Sequence, residues 1–332
     1  MFSIPNKPPI SLTPRAVSHI KLLMDNSDAL ALRVGVKKGG CAGMEYTIEY
    51  VTELDKNDEV IEQDGVRVLI APTAQMFLFG TEIDYETSLL ESAFKFNNPN
   101  VLVAGCGTGQ HIAIIADKYL NSKILGIDLS LASLAYAKRK VEELGLKNIE
   151  FLHADILQLK NLKRKFNIIE CVGTLHHMKD PVAGLRVLLN LLETNGFLKL
   201  GLYSEIARKH IIELRQFTKD RNFQNNVIDI RNFRENIKNH ENKILRKVLN
   251  SNDFYSTSNV RDLIFHVQEH RFTISKIKEY LDKLGLIFLG FEGQLVKENF
   301  KKIYSNKIDL YNLEKWEEYE KSNPRIFAGM YQ

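Results

Sequence analysis

Two rhythms of apolar and polar positions divide the chain. In the first hundred residues the apolar runs are short. Thr13 and Pro14 open a helix over residues 15–25, with Ala16, Ile20 and Leu23 on one face. Strand-like runs follow at 31–36, 46–50 and 66–70, the last alternating as a half-buried strand does, and Asp64-Gly65 breaks the pattern before it. This predicts a β-rich module with small helical pieces. From Val101 the rhythm becomes strand–helix–strand. Residues 101–104 are a continuous apolar run, as in a parallel strand covered on both faces. A glycine turn and a helix over 110–119 follow. Strands are expected at 123–128, 149–155, 166–172 and 196–202. Ser130 caps a helix carrying Leu131, Leu134, Ala135 and Val141 inward. The pattern predicts a doubly wound α/β domain of Rossmann type with its ligand at the carboxyl ends of the strands.

Beyond that sheet, residues 205–270 read as a charged, helix-rich insertion. Within it, Asp253-Phe254-Tyr255-Ser256-Thr257 and residues 261–270 are dense in groups suited to a substrate lid. The competing reading packs Leu263, Ile264 and Val267 on the sheet. A helix over 274–284 and a strand over 286–291 complete the sheet, and 315–321 reads as an exposed terminal helix. The expected division is 1–100, 101–300 and a tail over 301–332.

Charge sharpens the first boundary. Residues 1–100 hold 9 Lys and Arg against 14 Asp and Glu, whereas the remainder holds 36 against 27. The basic residues are interleaved with acids, which argues against a nucleic-acid surface. The three cysteines, Cys41, Cys106 and Cys171, have no paired spacing, so no disulfide framework is expected. The first residues lack the apolar core of a signal peptide, and no run reaches the roughly 18 apolar residues that span a bilayer. A soluble protein of the reducing cytoplasm, without membrane contact, is the expectation.

The chemistry of the second domain follows from spacing. A dinucleotide fingerprint places glycines at its first, third and sixth positions. Here Gly105, Gly107 and Gly109 form a tighter turn, which lets backbone amides approach an amino-acid moiety rather than a pyrophosphate. Asp128 ends the second strand, where a carboxylate can accept from both hydroxyls of a ribose. Asp155 ends the third, where it can accept from an adenine amino group. The competing reading is a Rossmann-like domain that uses NAD or only keeps the architecture. These residues, with Phe166-Asn167-Ile168-Ile169-Glu170 and Leu175-His176-His177-Met178, resemble the class I S-adenosylmethionine-dependent methyltransferases, which have a seven-stranded sheet. The resemblance implies S-adenosylmethionine as cofactor, held by Gly105, Gly107, Gly109, Asp128 and Asp155 with Ile156 against the adenine. His176 and His177 are candidates for base or substrate contact. Their competing role is packing beneath the cofactor or hydrogen bonding to the next loop.

The first domain carries a different resemblance. Cys41 sits in a glycine-flanked turn, where amides can stabilise a thiolate. Residues 32–43, Gly80-Thr81-Glu82-Ile83-Asp84-Tyr85 and Phe94-Lys95-Phe96-Asn97-Asn98-Pro99-Asn100 together resemble the A-type iron–sulfur carriers, the HesB/IscA-like family. That family implies a compact β-sandwich-like fold, homodimers, transfer of clusters to iron–sulfur proteins, and ligation by one cysteine in a Gly-Gly-Cys turn plus a Cys-Gly-Cys tail. Cys41 matches the first ligand. The tail falls at Gly105, Cys106 and Gly107, where cysteine and glycine are exchanged. A cluster takes about four thiolate-type ligands, so loss of cluster binding is expected. A radical enzyme is excluded, because three scattered cysteines cannot supply Cys-x3-Cys-x2-Cys. The leading reading is a methyltransferase, acting on an unidentified acceptor, with a carrier-type module that has lost its tail ligands. The alternatives are a working iron–sulfur carrier with an appended methyltransferase fold, or the joined reading of two genes.

Overall fold

A computed structural model of the chain describes residues 2–3, 10–39, 43–78, 80–87, 92–119 and 122–332. It forms two compact units. One comprises residues 2–171 with 186–199, the other residues 172–185 with 200–332.

The first unit begins with the two-residue strand β1 (Phe2–Ser3) and then a β-rich module. Its elements are β2 (Ser11–Leu12), α1 (Pro14–Asp25), β3 (Ala31–Gly39), β4 (Gly43–Val51), β5 (Glu59–Gln63), β6 (Val66–Ile70), α2 (Pro72–Leu78), β7 (Glu82–Thr87) and β8 (Ser92–Asn97). They build a sheet in the order β4-β3-β6-β5 and a second in the order β2-β7-β8. In the first sheet β3 pairs antiparallel with β4 (Leu32↔Tyr50) and parallel with β6 (Leu32↔Val68). Alternation therefore turns Leu32, Val34, Val68 and Ile70 to one face, where they bury against Ala16, Val17 and Ile20 of α1.

Thr13 caps α1 through the Ala16 amide at 3.2 Å, and its hydroxyl donates to the carboxylate of Asp84, which Arg15 also contacts. The Asp84 carboxylate takes a further bond from the Tyr85 amide at 2.8 Å. The Thr13 hydroxyl, then the Tyr85 amide and Arg15, hold its pKa below the usual aspartate range. A depressed folded pKa contributes stability that is present above the unfolded value of about 3.9 and lost as the pH falls through the folded value. Asp84→Asn is thus expected to lower the melting temperature of the intact chain at pH 7. The gap from wild type should close as the pH falls below about 3.9. A gap that stays constant with pH would refute this role.

The second sheet system follows without a break in the chain. Its elements are β9 (Asn100–Ala104), α3 (Gln110–Lys118), β10 (Lys123–Asp128), α4 (Leu131–Glu143), β11 (Ile149–His153), β12 (Phe166–Val172), α5 (Pro181–Leu191) and β13 (Leu192–Gly201). The strand order in this unit is β11-β10-β9-β12-β13-β1. Parallel pairs place Leu125 beside Leu102 on one edge and Ile169 on the other. The side chains of 101–104 alternate between the two faces and are all buried, so both faces of the run are covered, as the pattern predicts. Three features differ from the sequence reading. On α4 the inward residues are Leu134, Ala137 and Val141, whereas Leu131 and Ala135, expected inward, are exposed. β13 starts at Leu192 rather than Gly196, because it leaves α5 directly. The strand antiparallel to β13 is β1, with Phe2↔Leu198 and Ser3↔Phe197.

The other unit is mostly helical: α6 (Lys209–Asp220), α7 (Val227–Lys238), α8 (Thr257–Ile264), α9 (Ile274–Leu284), the short strand β14 (Ile287–Phe288), α10 (Gln294–Lys301) and α11 (Leu313–Ser322). The insertion has its own core, in which Leu214, Phe233, Val248, Phe254, Leu263 and Ile264 meet. Of the two readings of this segment, the one that packs Val267 on the sheet does not hold for that residue, which is 95% exposed. The terminal helix was expected to be exposed, yet α11 buries Trp316, Tyr319 and Glu320. Trp316 stacks on Phe300 at 3.8 Å, and Glu320 accepts from Ser204 Oγ at 2.6 Å and Tyr331 at 2.7 Å. No helix among the described residues is long and apolar enough to cross a membrane.

Candidate functional site

The chain leaves the sheet at Ala104 into the glycine turn. The amides of Gly105 and Cys106 both donate to the Ile127 carbonyl, at 2.8 and 2.9 Å, which fastens the turn to the end of β10. The Gly107 amide donates to Asp128 Oδ2 at 2.8 Å, and the Ser130 amide donates to Asp128 Oδ1 at 2.8 Å. A carboxylate offers about four lone-pair sites, so one remains on each oxygen of this half-buried group. Gly107 has φ +54° and a Cβ there would meet nothing within 4 Å, so the cradle above it is open. Gly109, at φ +92°, serves packing instead: a Cβ would lie 2.7 Å from Ala137 Cβ on α4. α3 starts there with neither a side-chain cap nor an acid in its first turn. Its free amides and positive dipole end suit a ligand carboxylate.

The end of β11 completes this edge. The Ala154 amide donates to the Asp128 carbonyl at 3.2 Å, and His153 Nε2 lies 2.9 Å from the Leu129 carbonyl. Asp155 caps a 3₁₀ turn over Ile156–Asn161, with Oδ1 accepting from the Leu157 amide at 2.8 Å. Its Oδ2 has no partner among the described residues. The structure thus bonds Gly107 directly to Asp128 and fastens Gly105 to the preceding Ile127, with Asp155 on the adjoining strand end. Ile156 is buried. The exposed apolar side chain beside Asp128 is Leu129, 69% exposed, which the sequence reading did not single out. A large apolar residue directly after a strand-ending acid was the available signal.

A second group was also missed. Glu170, buried on β12, lies 2.9 Å from His111 Nε2 in the first turn of α3 and 3.8 Å from Lys199 Nζ. It ties the start of α3 to the sheet. Its signal was a lone acid inside the apolar run 168–171.

The iron-ligand expectation meets different geometry. Cys41 lies outside the described residues. Cys106 is 4% exposed, and burial, with the Asp128 charge adding, pushes its thiol up to about 12. A metal-bound sulfur has to be a thiolate with room for the metal. The described positions therefore do not fit a cluster, and among the described residues no group of three or more His, Cys, Asp or Glu could hold a metal ion.

The other unit holds the two histidines. His176 is fully buried, stacked on Tyr203 at 3.8 Å, and neither ring nitrogen has a partner among the described residues. Burial, then the neighbouring His177 and Arg208, pushes its pKa down to about 2. His177 Nδ1 lies 2.9 Å from the Gln268 carbonyl, its ring 3.8 Å from that of His266, and burial lowers its pKa as well. The His270 amide donates to the His176 carbonyl at 2.7 Å. The loop bearing these contacts is fixed by buried Glu269, which accepts from Arg208 at 2.8 Å, Arg215 at 3.3 Å and Arg271 at 3.4 Å. Arg208 also lies 3.5 Å over the Tyr203 ring. Hydrogen bonding to the next loop, one of the two roles considered for these histidines, describes the contacts His177 makes.

Known proteins meet on this chain as the motifs do. Over 106 residues, 31% of this chain and 82% of the relative, it is 49% identical to the mitochondrial iron-sulfur cluster assembly 1 homolog of Drosophila melanogaster. It is 46% identical over 110 residues to the Homo sapiens counterpart, covering 32% of this chain and 85% of that protein. PKMT2 from Rickettsia typhi, solved in complex with AdoHcy, aligns with 68% of this chain and 46% of its own at 19% identity and a TM-score of 0.51, a likeness of fold alone. The model of the iron–sulphur cluster biosynthesis family matches residues 9–108, and that of the methyltransferase domain matches residues 95–305. The two overlap over residues 95–108, which takes in Gly105 and Gly107 but not Gly109. The chain thus belongs to the methyltransferase-domain family over more than half its length and carries, ahead of that domain, a member of the iron–sulfur cluster biosynthesis family.

Proposed function

We propose that the chain is an S-adenosylmethionine-dependent methyltransferase. The observation that carries this reading is Asp128, anchored by the Gly107 and Ser130 amides yet keeping a lone pair on each oxygen for the two ribose hydroxyls. Gly105 and Gly107, with the open start of α3 that Gly109 packs against α4, receive the aminocarboxylate. Asp155 Oδ2 accepts from the adenine amino group, and the exposed Leu129, rather than the buried Ile156, supplies apolar surface for the ring. Bound there, S-adenosylmethionine supplies a sulfonium methyl for in-line transfer to a nucleophile.

The two histidines take separate roles. His176, held neutral and buried, packs beneath Tyr203. His177 must donate from Nδ1 to the Gln268 carbonyl, so its neutral form carries an unprotonated Nε2. We assign that nitrogen the proton of the acceptor group. The N-terminal module is assigned homodimerisation or docking to iron–sulfur proteins rather than cluster transfer, since the tail thiols of the carrier family are absent. The three cysteines of the chain suit a reducing compartment, and the cytoplasm is the proposed location, although the curated relatives are named as mitochondrial.

Calorimetric titration of the intact chain with S-adenosylmethionine is expected to give saturable binding at one site per chain. A folded protein without saturable heat would end this reading.

A further inference from the structure

The helical unit encloses a cavity of about 630 Å³, inside the range of roughly 300–1,000 Å³ typical of small-molecule sites. Tyr203, Ile206, Leu263 and Met330 give it an apolar wall. The remaining wall is basic: Arg208, Lys209, Lys247 and Arg325 line it against Glu213 and Asp253. The excess is larger than this comparison suggests. Arg208 is paired with Glu269, but that single carboxylate is shared with Arg215 and Arg271. Neither Lys247 nor Arg325 has a carboxylate partner among the described residues. His210, on the same wall, has its pKa lowered first by burial and then by Arg208, Lys247 and Arg325, so three cations act on one imidazole. The 12-residue α6 also starts here, with no side-chain cap and no acid in its first turn. Its open amides and dipole add to the positive field.

We propose that this cavity is a binding site for a small molecule with an apolar body and one oxyanion group. The oxyanion sits among Lys247, Arg325 and the first turn of α6, and the body lies against Tyr203 and Leu263. The site stands on the cavity alone and is independent of the methyltransferase reading above. A polyanion such as a nucleic acid would need cations strung along an open surface. Here they converge on one cavity. Tyr203 links that cavity to the histidines, since the ring that lines it stacks on His176.

The test uses 8-anilinonaphthalene-1-sulfonate, an amphipathic anion whose fluorescence reports binding, and its uncharged analogue N-phenyl-1-naphthylamine. The intact chain is expected to bind the sulfonate at one site and about tenfold more tightly than the neutral amine. Lys247→Glu with Arg325→Glu, both at exposed positions, is expected to weaken the sulfonate by about tenfold or more and leave the amine unchanged. Should the double variant lose its far-UV circular dichroism, Lys247→Gln and Arg325→Gln are tested singly with the same expected direction. Equal affinities for the two probes, or charge reversal without effect on the sulfonate, would overturn the site. S-adenosylhomocysteine is titrated into the same preparations. If it binds while the probes are not discriminated, the pocket alone falls. If it fails to bind while the sulfonate is selected, the oxyanion site stands and the methyltransferase reading falls.

Discussion

Asp128→Ala is expected to lower S-adenosylmethionine affinity by about 100-fold or more while the fold survives. Two ribose hydroxyls donating to a charged carboxylate contribute about 1.5–3 kcal/mol each, and each 1.4 kcal/mol is a factor of about ten in affinity. The carboxylate also holds the Gly107 and Ser130 amides at 2.8 Å, so its removal loosens the turn that receives the aminocarboxylate. Both effects act in the same direction. Asp128→Asn keeps one acceptor oxygen and is expected to fall between wild type and alanine. A loss smaller than about threefold in Asp128→Ala, measured calorimetrically on folded protein, would remove Asp128 from the site.

Gly109→Val should act through the fold as well. A Cβ at this position lies 2.7 Å from Ala137 Cβ and 2.9 Å from Ala137 Cα, and φ is +92°. A Cα cannot swing aside as a flexible side-chain end can, so α3 and α4 must separate. The left-handed backbone costs a β-branched residue about 1–3 kcal/mol and the overpacking about 1–3 kcal/mol more. A melting temperature lowered by several degrees, with cofactor binding lost, is the expected result. Gly107→Ala makes the contrast, because a Cβ there meets no protein atom within 4 Å. It should fill the cradle and weaken the cofactor, with a loss of stability limited to the left-handed backbone cost of about 1–2 kcal/mol and smaller than that of Gly109→Val. If Gly107→Ala instead unfolds the protein as strongly as Gly109→Val and spares binding, the division between cradle and packing glycine is wrong.

The parts of this fold that can be read from sequence are those in which neighbouring residues carry the signal. The covered strand over residues 101–104, the Thr13 and Ser130 caps and the bounds of α9 come directly from apolar runs and capping residues. The turn and its two acids are legible because spacing places them at successive strand ends. What escaped depends on distant partners. The first residues of β13, Leu192, Glu193 and Thr194, carry too little apolar pattern to mark a strand, and two residues at Phe2–Ser3 carry none. The burial of α11 depends on Phe291, Phe300, Phe327 and Tyr331, scattered over forty positions of charged sequence. Glu269 looks like one more surface acid until the fold gathers Arg208, Arg215 and Arg271 around it.

The central claim is that residues 105–109 serve a methyl donor and not an iron centre, although two family patterns overlap there. The most direct measurement titrates the intact chain with S-adenosylmethionine before and after incubation with ferrous iron and sulfide, while recording visible absorption. Wild type and Cys106→Ala are run side by side. One-site binding that is unchanged by iron, with no absorption band depending on Cys106, is the expected result. A thiolate-to-iron band that vanishes in Cys106→Ala, together with loss of S-adenosylmethionine binding on iron loading, would contradict the claim.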